Sequence, residues 1–201
     1  MENHGDAWSW RRQGLYLREL KPYLIASVAL LIAGAIAGIV TSSGSPDATS
    51  ARREALGEFA SWFVGLPRPL LALAIFVNNA LKTLIVIVTG RLAGILPLVF
   101  LLINGYVLGI VFYSTYHTKG LWAFLIAIAP HGVLELPAVL FGTAIGLKLG
   151  AAAIARFIKK DGINISAEMM RGFAFFVVVI LPLLTVSALI EAFVTATLTG
   201  K

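Results

Sequence analysis

Long apolar stretches alternate with short polar ones along most of this chain, at the spacing of membrane-crossing helices. The first stretch, 23–41, reads Tyr-Leu-Ile-Ala-Ser-Val-Ala-Leu-Leu-Ile-Ala-Gly-Ala-Ile-Ala-Gly-Ile-Val-Thr. At 1.5 Å per residue it extends about 28 Å, the thickness of the hydrocarbon core. Further spans are predicted over 69–89, 94–114 and 172–195. The stretch 121–155 is too long for one crossing, since an unbroken helix there would extend about 52 Å. Pro130, Gly132 and Pro137 lie within it, so a broken or re-entrant helix around 121–137 is expected, leading into a full span. Between the first two spans, Ala51, Ala55, Leu56, Phe59, Trp62 and Phe63 recur every three to four positions. They predict an amphipathic extramembrane helix over 47–64, capped by Asp47 or Thr49.

Residues 1–22 are polar and basic, with Trp8, Trp10 and Tyr16 interleaved. They read as an interfacial segment whose aromatics sit at headgroup depth, with Pro22 opening the first span. The remainder, 23–201, forms a single transmembrane domain. The fold class is therefore all-α, a polytopic transmembrane bundle of about five spans. Ala33, Gly34, Ala37 and Gly38 give the first span a small-residue face suited to close helix packing. The first run is long for the apolar core of a signal peptide, although small residues near Gly38 leave cleavage open.

Composition agrees with a lipid environment. Only 13% of residues are charged and the mean hydropathy is +0.90, whereas soluble domains carry about a quarter charged residues. The net charge of +6 sits at the ends of apolar runs, which fits anionic headgroups and argues against nucleic acid. Basic residues also set orientation. With five net crossings, Arg11, Arg12, Arg18, Lys21, Arg91, Arg156, Lys159, Lys160 and Arg171 fall on one side, and Arg52, Arg53, Arg68, Lys119 and Lys201 on the other. The bias favours a cell-membrane protein with a cytoplasmic N-terminus and an external C-terminus. It also requires 121–155 to cross only once.

Polar groups are costly in hydrocarbon, so the few present form the functional search list. They are Asn78, Asn79, Lys82, Asn104, His131, Glu135 and Glu191. His131 and Glu135 share a face if the segment is helical across them. Such a pair can brace a broken helix, carry a proton or ion, or serve catalysis. Lys82 lies deep enough to want a carboxylate, and Glu135 is the natural candidate. The alternative is that Lys82 snorkels to an interface. No cofactor is expected. Two ligands are too few for a zinc site, cysteine is absent, and no G-x-S-x-G or phosphate-cradling loop occurs.

Three stretches carry a family resemblance: Phe-Val-Asn-Asn-Ala-Leu-Lys at 76–82, Leu-Ile-Asn-Gly-Tyr-Val-Leu-Gly at 102–109, and Pro-His-Gly-Val-Leu-Glu-Leu-Pro-Ala at 130–138 with Gly142 and Gly146. Together they resemble the stage II sporulation protein M family. The resemblance implies a multi-pass membrane protein. In spore-formers the namesake scaffolds peptidoglycan-degrading partners, while relatives occur in organisms that never sporulate. It carries over the polar set Asn78, Asn79, Asn104, Gly105, His131, Gly132, Glu135 and Pro137, with no role assigned to them. The leading expectation is a non-enzymatic scaffold or membrane subunit, partnered by the lipid bilayer and other membrane proteins, with a homodimer expected. A transporter or channel using His131 and Glu135, and an intramembrane enzyme using the same pair, stay open.

Overall fold

The computed structural model describes residues 8–44, 65–132, 134–159 and 164–195. The predicted amphipathic helix over 47–64 lies outside the described residues. Among the described residues there are helices and turns and no strands. Five helical stretches are long and apolar enough to cross a membrane.

Helix α1 spans Trp10–Gly44 and runs straight through Pro22. The interfacial segment and the first span are thus one rod, about 52 Å long at 1.5 Å per residue. This corrects the expectation that Pro22 opens the span. Proline removes one N–H from a helix interior, but here it does so near the membrane surface, where the freed carbonyl can meet water. Tyr16, near the start of this helix, is 2% exposed and packs into the core.

Helix α2, Arg68–Thr89, starts after Pro67 with Pro69 in its first turn, where a missing N–H costs nothing. A tight turn follows, with Ala93 and Gly94 at positive φ. Helix α3, Ile95–Gly132, is interrupted at Gly120, whose φ of 83° and ψ of 174° are not helical. Only glycine adopts that conformation without strain. Helix α4, Glu135–Lys159, follows the break after Gly132. Helix α5, Ile165–Phe175, is capped by Asn164, whose side chain accepts the Ala167 N–H at 3.0 Å. It continues through a π-helical stretch, Phe176–Ile180, into helix α6, Leu181–Ile190, and a second π-helical stretch, Glu191–Thr195. The wide turns of the first stretch absorb Pro182, which cannot donate a hydrogen bond. The last span therefore starts at Ile165 rather than 172, and Arg171 is on a helix instead of in a loop.

Glycine positions fix the topology. A Cβ at Gly34 would collide with the Leu102 carbonyl oxygen, and one at Gly38 with that of Tyr106. In return, Cβ atoms at Gly105 and Gly109 would collide with the carbonyl oxygens of Leu31 and Ala35. Two Gly-x-x-x-Gly pairs thus cross backbone to backbone, with α1 and α3 running parallel. The glycines of the predicted small-residue face are used here, inside the chain, while Ala33 and Ala37 stay exposed. On the other side, Gly142 meets Thr83, Gly146 meets Val86 and Pro97, and Gly150 meets Gly94. Helix α4 therefore runs parallel to α2 and antiparallel to α3.

The core lies below and between these seams. Tyr16 and Leu20 of α1, Ile87 of α2, Ile145 and Leu149 of α4, and Phe175, Ile180 and Leu184 of the last span form one buried cluster. Tyr16 and Phe141 both pack against the Phe175 ring at 5.6 Å. The start of α1, the turn at 90–94, the end of α4 and the start of α5 share one end of the bundle, called here the near end. Gly44, Arg68, Gly120 and Glu191–Thr195 lie toward the far end.

Candidate functional site

Beyond Gly120 the chain descends beside the strand of helix it has just climbed. Phe124 meets Phe112 edge-on at 4.9 Å. Ile128 and Gly132 then face Val107, Leu108 and Asn104 across a cavity of about 550 Å³. Leu31 of α1 and Glu135, Leu136 and Val139 of α4 complete its lining. The helical stretches 121–132 and 135–159 thus return together from the far end to the near end. The helix breaks between Gly132 and Glu135 rather than at either proline. Pro130 falls in the last turn before the break and Pro137 in the first turn after it, where proline is tolerated.

That break corrects the reading of His131 and Glu135 as a same-face pair. The helix is not continuous across them, so four-residue spacing no longer puts their side chains one turn apart. The backbone of His131 belongs to the turn before the break, and its side chain lies outside what is described. Glu135 is half-buried and lines the cavity.

The structure brings Asn104 and Glu135 to one cavity. Asn104 is exposed and donates Nδ2 to the Phe100 carbonyl oxygen at 2.7 Å, one turn back. Asn79 is 9% exposed, and its backbone carbonyl accepts the Thr83 hydroxyl at 2.8 Å. Asn78 is half-buried and donates Nδ2 to Asn79 Oδ1 at 3.3 Å. Lys82 is exposed on the outer side of α2. No ion pair joins Lys82 to Glu135 among the described residues. No group of three or more potential metal ligands occurs among them either.

A second polar constellation was not expected from the sequence. At the near end, Lys148 of α4 pairs with Glu19 of α1 at 2.6 Å and with Glu168 of α5 at 2.7 Å. Arg171 pairs with Glu19 at 2.5 Å and with Glu168 at 3.1 Å. The Lys148 ammonium and the Arg171 guanidinium also lie 4.4 and 4.9 Å from the Tyr16 ring centre. Cations over an aromatic face are attracted by its quadrupole. The side chains of Lys148 and Glu168 are each 14% exposed, so their charges depend on each other. Two acids and two bases close a neutral network that ties three helices together. The sequence signal was faint: a lysine placed inside an apolar stretch with no carboxylate nearby in sequence.

These features, polar groups at 78–82 and 104, a break at 132–135 and glycine seams, coincide with the region matched by a family model. The model described as Stage II sporulation protein M matches residues 27–196. The chain belongs to the stage II sporulation protein M family. Its five apolar spans make it an integral membrane member of that family. No curated protein and no solved structure matches it.

Proposed function

We propose that this stage II sporulation protein M family member is a non-enzymatic membrane subunit of a larger assembly, with α2 as its partner-facing helix. The observation that carries this reading is the outward Lys82. Leu70, Leu73, Val77, Leu81, Ile85 and Val88 form an exposed apolar stripe down α2. Lys82 lies beside it, with Asn78 one turn away on the same side. Eight residues separate Lys82 from Gly90, which puts the ammonium's helix position about 12 Å inside the near end. A lysine facing acyl chains near the middle of a span costs roughly 2.5–3.5 kcal/mol or more. A neighbouring membrane helix with a carboxylate removes that cost. The orientation we propose is near end cytoplasmic, from the basic residues gathered there.

A photocrosslinking residue tests this in the native host's membranes. Placed at Leu81, it gives protein adducts that Lys82→Leu abolishes, while at Ile32 or Ile36 of α1 it gives lipid adducts alone. A second copy of the chain appears as an adduct of twice the chain mass. Lipid-only adducts at Leu81, matching those at Ile32, overturn the reading and leave Lys82 snorkelling.

Transport is a second reading, favoured by one observation. An amide and a carboxyl line a cavity beside a broken helix, and discontinuous helices are a common way for transporters to hold substrates.

A further inference from the structure

We infer that the cavity beside the helix break binds an amphiphile, a hydrocarbon body whose one polar end donates hydrogen bonds to Asn104 and Glu135. The inference does not rest on the Lys82 interface, because the cavity is lined by α1, α3 and α4. Three observations lead to it.

The first is size and lining. A volume of about 550 Å³ falls in the range of small-molecule sites, roughly 300–1,000 Å³. Its walls are aliphatic and aromatic, with Leu31, Val107, Val111, Phe124 and Ile128 among them. Such walls suit a hydrocarbon body and gain nothing from a polar solute.

The second is the chemistry of the two polar groups. Asn104 spends one of its two amide N–H groups on the Phe100 carbonyl and offers its Oδ1 and the second N–H. A carboxyl oxygen at Glu135 accepts hydrogen bonds whether or not the group is ionised. An O–H or N–H on the ligand therefore finds an acceptor at both positions. A ligand headed by a carboxylate or an ester can meet the Asn104 N–H but has no hydrogen for Glu135.

The third is depth and access. Asn104 is nine residues above Ile95, about 14 Å along the helix and close to mid-membrane. The cavity is partly open rather than enclosed. Ile103 and Leu125, next to lining residues on the two segments, are 56% and 41% exposed. Entry is therefore from the acyl chains rather than from water. An alcohol-headed or an amine-headed chain both meet these terms.

The test uses the full chain in nanodiscs with diazirine-bearing sixteen-carbon probes, one each with a primary alcohol, a primary amine, a carboxylate and a methyl ester. Mass spectrometry locates the adducts. The alcohol or the amine labels residues within 104–111 and 124–139, and which of them does so names the head group. The carboxylate and ester probes label those residues about tenfold less, the ratio a lost charged or buried hydrogen bond gives. Val107→Trp fills the cavity and leaves both polar groups in place, so it suppresses labelling by every probe. Glu135→Leu removes an acceptor and reduces only the donor-headed probes, and Asn104→Leu reduces them too. If Glu135→Leu does not fold, Val107→Trp and Asn104→Leu decide the matter. Equal labelling by the methyl ester, or labelling unchanged in Val107→Trp, overturns the inference.

Discussion

Single missing side chains hold α1 against α3. Gly34, Gly38, Gly105 and Gly109 allow backbone-to-backbone contact, and a methyl at any of them would meet a carbonyl oxygen. Lipid tails are as apolar as leucine, so helices in a bilayer gain little from hydrophobic burial and much from such close approach. Gly105→Val should therefore lower stability by about 1–3 kcal/mol or more, the cost of overpacking a tight site. Gly14 is the contrast, with open space around its Cβ direction in a helix. Gly14→Ala should gain up to about 1 kcal/mol from helix propensity. Thermal unfolding in detergent, compared across the two variants, reads both signs. The α1 glycines were legible as a small-residue face, because four-residue spacing is visible in any sequence. Their partner was not, because spacing on one helix does not say whether the facing helix belongs to the same chain.

Between elements, the clearest construction is the ion network that joins α1, α4 and α5. Lys148→Met leaves Glu168 with Arg171 alone. The expected loss is about 2 kcal/mol, below the 3–5 kcal/mol of a fully buried broken pair because Arg171 remains. Adding Glu168→Gln should restore at least half of it, since the orphaned charge is then gone. A double-mutant cycle by denaturant or thermal unfolding gives the coupling directly, and additivity would show that the two residues do not depend on each other. This network was hard to foresee, because Glu19 lies 129 positions from Lys148 and only the fold closes that gap. The helix break was easier. Pro130, Gly132 and Pro137 announced it, although the chain breaks between them and not at a proline. Gly120 was missed, since a glycine at the end of a polar tip resembles any loop glycine until its positive φ is known.

At the scale of the whole molecule, hydropathy alone delivered the five helices long and apolar enough to cross a membrane, and the breakers within 121–155 delivered its broken helix. The distribution of polar groups was not deliverable that way. One shared intramembrane cluster was expected; the fold sends Lys82 outward and sets Asn104 and Glu135 on one cavity. The lack of cysteine makes sidedness directly measurable. Single cysteines at Gly14, Arg91 or Arg156 should react with an impermeant maleimide only after the inner face is exposed. Cysteines at Gly65 or Thr118 should react in intact cells. The reverse pattern would invert the proposed orientation. The ionic clamp also has a mechanical side. It ties the near-end half of α4, through Lys148, to α1 and α5, while 121–132, beyond the break, rests on α3 through contacts such as Phe124 on Phe112. The two arms of the broken helix are thus moored to different parts of the molecule, and load on one is not passed rigidly to the other.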